Sequence, residues 1–280
     1  MPSTTLTPSS SLKKCKKMNF NLAHSHERDA HVHFYPENHT YTFDDIPAEP
    51  VSTIIASWFP TFDAERSAGR KATPDHPKEQ YLEEWACRGS EARTAGTFMH
   101  AQIEQSLLGQ PCNDVCPFSF HGAFVSTEKS IRIDRELSAF QHFMEERKPI
   151  PYRTEWSICD EEHHIAGTID FLAQNEDGEF IMYDWKRSNK IGMVEKDGFQ
   201  VCRQNSFHRH AHGLLAHLDD MPYYHYCLQQ NLYRYILQRR YGITLAHMYL
   251  VVLHPDYSTF HCVPVPVMEA EVQIICSRCS

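Results

Sequence analysis

The chain has 280 residues, 41% apolar and 22% charged, which is the composition of a folded globular domain. No stretch reaches the ~18 uninterrupted apolar residues of a transmembrane helix, so no membrane partner is expected. The 27 Lys and Arg against 36 Asp and Glu leave a formal charge of −9, which excludes a uniformly basic polyanion binder and requires any nucleic acid to find a local patch.

Ten Cys without a dense framework, and no secretory apolar core at the N-terminus, predict reduced thiols in a reducing intracellular compartment. Residues 1–22 are rich in Ser and Thr and then in Lys, with no acid before Glu27, and predict a disordered tail before a single domain over 23–280. A mitochondrial transit peptide is the alternative for this tail, disfavoured because the segment lacks Arg. From His31 to Phe43 the alternation across Pro36–Asn38 predicts a hairpin. Apolar residues at helical spacing over Val51–Phe59 and Pro77–Arg88 predict short helices that complete an N-terminal layer to about residue 90. Ser90 is placed to cap a longer helix reaching about Leu108, and residues 128–147 read as another amphipathic helix.

The period then changes. Tyr152–Cys159, Ile165–Ala173 and Glu179–Lys186 are β-branched and aromatic, and predict an antiparallel meander. A long loop rich in His and basic residues precedes a helix over Tyr224–Arg240. Strands over Ala246–His254 and Thr259–Val265 and a last helix from Met268 end the chain. The pattern predicts an α/β fold with a central mixed sheet covered by helices.

The chemistry concentrates on the meander. Strand alternation presents Asp184 and Lys186 on one face and Trp185 on the other. With Glu176-Asp177-Gly178 as a three-residue loop, Asp170 falls directly opposite Asp184. Two facing carboxylates repel unless a cation lies between them, and oxygen donors of this kind suit Mg²⁺, with Mn²⁺ as a substitute. Glu155, on the first strand, is a further ligand or a base that positions water. Lys186 supplies positive charge beside the reacting phosphate.

Asp170 followed by Asp184-Trp-Lys186, with Gly167-Thr-Ile before the first Asp, resembles the signature of the PD-(D/E)XK nucleases. Gly96-Thr-Phe-Met-His100 upstream and Gln229-Gln-Asn-Leu-Tyr233 downstream are similar to motifs of its RecB-like branch, which includes the Cas4-type and mitochondrial genome maintenance exonucleases. The resemblance implies a restriction-endonuclease-like core over about 91–280 and a divalent-metal-dependent deoxyribonuclease of exonuclease or end-processing type. It implies His100, Asp170 and Asp184 as metal ligands, with Asp170, Asp184, Lys186 and Glu155 catalytic. Single-stranded DNA or duplex ends are the implied partner, with Gln229, Tyr233, Arg187, Ser188 and Lys190 as contacts. Some relatives bind an iron–sulfur cluster through four Cys. Here Cys276, Cys279 and Cys87 lack an evident fourth ligand, so no cluster is expected.

Other readings compete. Arg203, Arg209, Arg234, Arg239 and Arg240 either join Lys186, Arg187 and Lys190 in phosphate contacts or are merely solvated charges. His31 with His33, and the His208, His210, His212 tract, invite a zinc hydrolase, but no closed tetrahedral ligand set assembles around them. A catalytically silent DNA-binding module of the same fold is the remaining alternative.

Overall fold

The structure, a computed structural model, describes residues 19–279. The expected disordered tail and its transit-peptide alternative lie outside the described residues up to residue 18. Residues expected at the end of that tail instead form a helical turn, α1 (Phe20–Ala23), capped by the Asn19 side chain. A 3-10 turn over Glu27–Ala30 follows, then β1 (Val32–Tyr35) and β2 (Thr40–Phe43), which form the expected hairpin. An unexpected strand, β3 (Ile46–Pro50), adds to β2 before α2 (Val51–Ser57) and α3 (Ala64–Lys71).

Where two helices were expected, α4 (Lys78–Leu107) is continuous through Gly89 and Ser90. An interior Gly costs about 1 kcal/mol relative to Ala. Burial of Met99, Ile103 and Leu107 along one stripe offsets it, at roughly 1.5–3 kcal/mol each. A second clasp comes from Glu83, whose carboxylate accepts the backbone N–H groups of Ala123, Phe124 and Val125 at 2.7–3.0 Å. These three residues turn the hairpin of β4 (Val115–His121) and β5 (Ser126–Arg132). The helix expected from residue 128 therefore starts only at α5 (Asp134–Arg147). Ile131 packs with Phe118 and Cys87 rather than on the helix stripe with Phe140 and Phe143.

The meander is present as β6 (Ile150–Asp160), β7 (Ile165–Gln174) and β8 (Phe180–Lys186). The segment expected to be an irregular loop carries a small hairpin, β9 (Gly192–Glu195) and β10 (Gly198–Val201). After it come α6 (Pro222–Arg240), β11 (Leu245–Val252), β12 (His261–Pro264) and α7 (Glu269–Cys276).

An eight-stranded mixed sheet joins these parts, with helices on both faces. Phe171, Tyr183 and Trp185 pack against Met99 and Ile103 of α4 and Phe140 and Phe143 of α5. Leu172, Met182 and Leu250 pack against α2, α6 and α7 on the opposite side. The sheet is forked. Along one edge β7 pairs first with β3, in parallel at Ile165 and Ala166, and later with β8, antiparallel from Phe171 to Gln174. Between the two partners, from Gly167 to Asp170, that edge of β7 opens. Among the described residues no helix is long and apolar enough to cross a membrane.

Candidate active site

The expected register is the observed one. Phe171 opposes Tyr183 and Leu172 opposes Met182, the loop turns at Gly178 with φ +81°, and Asp170 and Asp184 follow at the point where the strands part. There the Asp170 carboxylate takes over from a ladder acceptor: the Trp185 N–H donates to its Oδ2 at 2.8 Å. On the other edge of β7 the ladder to β6 is interrupted at Glu155, whose φ of +46° is left-handed. For a residue with a Cβ this conformation costs free energy, on the order of 1–2 kcal/mol, and surrounding bonds must hold it. Thr154 supplies them. Its hydroxyl donates to the Asp170 carbonyl at 2.8 Å, and its backbone N–H and C=O are both engaged by the Asn21 side chain, at 2.9 and 3.2 Å.

The result is a set of three carboxylates from adjacent strands, Glu155, Asp170 and Asp184. His100 approaches from α4. Its Nδ1 lies 3.6 Å from Asp170 Oδ2 and 3.7 Å from Glu155 Oε1, and its Nε2 is 2.9 Å from the Trp185 carbonyl oxygen. Ligand atoms of His100, Glu155 and Asp170 all lie within 4.8 Å of one another. Among the described residues this is the one such grouping of His, Cys, Asp and Glu. Of the expected metal set, His100 and Asp170 fall in this group with Glu155, while Asp184 stands beside it with its Oδ2 2.6 Å from Lys186 Nζ. The left-handed turn at Glu155, invisible in the sequence, is the reason.

Lys186 is held from three sides, by Asp184, by Gln229 Oε1 at 3.4 Å and by the ring of Tyr226, 4.5 Å below the ammonium. Gln229 donates in turn to the Tyr233 hydroxyl at 3.1 Å. Tyr233 is 4% exposed and lies so close over Gly167 that a Cβ there would sit 2.4 Å from its ring. Direct contact of Tyr233 with DNA, implied by the resemblance, does not fit this burial. Gln229 and Tyr233 instead brace Lys186. Tyr226 shares their helix face at spacing i, i+3, i+7, a signal the sequence contained.

Electrostatics mark the group. Burial raises the Asp184 pKa to about 7 despite Lys186, and burial likewise raises that of Asp170 against the pull of His100 and Lys186. Burial opposes the charged form of His100, but Asp170 and Glu155 outweigh it and raise its pKa to about 9. Lys186 is held above its ordinary value because Asp184 and Asp170 overcome its own desolvation.

The remaining expected contacts separate. Arg187 donates through Nε to the buried Glu136 at 2.7 Å, which commits it to the fold rather than to a phosphate. Ser188 accepts from the Lys190 N–H at 3.2 Å, and the Lys190 side chain is exposed. Arg209 pairs with Asp220, Arg234 with Glu269, and Arg239 and Arg240 with Asp160 and Glu162, while Arg203 lies over Tyr223. Four of these five arginines are thus taken up in ion pairs within the chain, which fits neither phosphate contacts nor freely solvated charges, the two readings the sequence left open. Of the histidines, His31 pairs with Asp44 at 2.6 Å and His210 with Asp219 at 3.1 Å, and neither belongs to a ligand group. Cys87 packs beside the β4–β5 hairpin and Cys276 in the core under α6.

A cavity of about 200 Å³ opens over the fork, lined by His100, Asp170, Asp184, Lys186, Gln229 and Tyr233 from one side and by His39 and Tyr41 of the hairpin from the other. No protein-family model and no curated protein matches the sequence. Among solved structures the chain is similar to the crystal structure of SSO0001, with 13% identity, a TM-score of 0.32, and coverage of 82% of this chain and 74% of that one.

Proposed function

We propose that the chain is a divalent-metal-dependent nuclease hydrolysing DNA phosphodiester bonds at single-stranded or duplex ends, built on a PD-(D/E)XK core. The observation that carries this reading is the fork itself: three carboxylates and an imidazole meet beside one braced ammonium, inside a cavity. Two of these carboxylates are buried, and burial favours their protonated forms against the pull of His100 and Lys186; a bound cation would favour the charged forms. The donor set, carboxylate oxygens with one imidazole, fits Mg²⁺ or Mn²⁺, held by His100, Glu155 and Asp170 with Asp184 alongside. When bound, the ion supplies neutralisation of a phosphate oxygen and acidification of water.

The chain's own residues do the rest. Lys186 offers a fixed positive charge at the cavity wall, where it stabilises charge developing on phosphate or orients a water through its N–H donors. Gln229 and Tyr226 hold that ammonium in place, so little reorganisation is needed when charge develops. Asp184 keeps it protonated. The Trp185 N–H fixes Oδ2 of Asp170, the oxygen that faces His100.

Incubation with 5′- and 3′-labelled single- and double-stranded oligonucleotides in Mg²⁺, Mn²⁺ or EDTA tests the reading. Cleavage from ends in either metal, abolished by EDTA and by Asp170→Asn, is the expected result. A folded protein that cleaves nothing in either metal, or cleaves equally in EDTA, overturns it.

A further inference from the structure

Next to the site cavity lies a larger groove of about 600 Å³, and the two share His39, Tyr41, His100 and Thr168. One wall is the β1–β2 hairpin, through Phe34, His39 and Tyr41; the other is α4, through Gly96, Thr97 and Ala101. Among the described residues the lining contains no Lys or Arg, and its carboxylates are Glu104 and Glu155. A surface of that kind repels a phosphate track and favours flat, uncharged groups.

The aromatic wall is built rigidly. Phe34 stacks on Tyr41 with ring centroids 4.6 Å apart, and His39 meets Phe34 edge-on at 5.3 Å. Tyr41 is buried, and its hydroxyl lies 3.0 Å from the Thr168 hydroxyl, two residues before Asp170 on the same strand. The wall is thereby tied to the strand that carries the candidate ligand. His39 is exposed at the hairpin tip with φ +55° and stands between the two cavities.

We propose that this hairpin is a base-stacking wall: Phe34 and His39 hold the terminal bases of a single-stranded DNA end in the groove, while its backbone passes His39 toward the carboxylates. The proposal rests on the nuclease reading above and adds to it the residues that engage the bases. Stacking requires an unpaired base with an open face, which a strand end offers and an intact duplex interior does not.

Fluorescence anisotropy in Ca²⁺, with a labelled 15-nucleotide single strand and the same strand made abasic at its three terminal positions, measures the contact. The wild-type chain is expected to bind the base-bearing strand about 10-fold more tightly. Phe34→Leu, which stays apolar but cannot stack, should lose that preference while binding the abasic strand normally, and Phe34→Trp should keep it. Equal affinity of the wild type for the two strands, no binding of the base-bearing strand, or an unchanged preference in Phe34→Leu overturns the proposal. Cleavage in Mg²⁺ without base preference defeats the stacking wall alone. Base preference without cleavage in either metal defeats the nuclease reading alone.

Discussion

The β6–β7 pair carries two clusters of carboxylates, and they are resolved in opposite ways. At its far end Asp160, 0% exposed, is enclosed by His163 at 2.8 Å, Arg240 at 2.6 Å and Arg239 at 3.5 Å. Its neighbours Glu161 and Glu162 pair with Arg28 and Arg239. At the fork, among the described residues, Glu155, Asp170 and Asp184 have only Lys186 and His100 as cationic partners. Arginine pairing wins over the partial desolvation of Glu161 and holds its pKa low, and hydrogen bonds from Arg239 and Arg240 do the same for Glu162; at the fork, burial pushes Asp170 and Asp184 up. Acids matched by arginines within the chain hold the fold together. Acids left short of positive charge are available for a cation from outside.

One substitution applied at both ends tests the contrast most strongly. Asp160→Asn removes the buried charge facing Arg239 and Arg240, which keep Glu162, and should cost about 1–3 kcal/mol in urea unfolding without changing cleavage per folded molecule. Asp170→Asn should leave metal-free stability unchanged or higher, because it removes a desolvated like charge, while abolishing cleavage and the upward shift in melting temperature that Mg²⁺ gives the wild type. Equal destabilisation by both would erase the distinction. Lys186→Ala comes next in size: cleavage should fall by at least about 10²-fold with that Mg²⁺-induced shift retained, since in the proposed function the ammonium acts on the phosphate and not as a ligand. Near-normal cleavage by this variant removes Lys186 from the chemistry.

The clusters also predict opposite responses to pH. Asp184 keeps its proton in the folded chain up to about 7, whereas an ordinary Asp loses it near 3.8. The native state then binds more protons than the unfolded one, so metal-free stability falls as pH rises through this window. The stabilisation of charged His100 is complete below 6.5 and is lost as pH rises through about 9. Glu161, with a lowered pKa, stabilises above its ordinary 4.5 and loses that contribution as pH falls. Urea midpoints in EDTA from pH 4 to 9 should show Asp184→Asn flattening the fall and Glu161→Gln changing only the acid side. The smallest expected effect is that of Gln229→Ala, a loss of about 5-fold in cleavage rate with unchanged metal response, the scale of one neutral hydrogen bond to a still-present ammonium.

The meander was legible because its cues are local. A Gly at the left-handed turn position fixes the loop, the loop fixes the register, and the register brings Asp170 to Asp184. The fates of Arg187 and Arg240 were not legible, because their partners Glu136 and Asp160 lie 51 and 80 residues away in sequence. Residues 128–132, expected as helix, are strand for a related reason. Ile131 suits a helix stripe as well as a strand face, and only packing on Phe118 and α4 decides between them. Glu155 entered the sequence argument by strand alternation, yet its place in the ligand group depends on a backbone reversal that no residue type announces.

That reversal has a consequence for where the protein can be cut. The motif-bearing region starts near Gly96, and trimming to it would look economical. Yet Asn21 supplies both backbone partners of Thr154, Asp29 takes the Arg153 and Trp156 side chains, and β3 completes one arm of the fork. Residues 19–50 are thus scaffolding for the carboxylate beside them, and the working unit is not portable as a motif-bounded module.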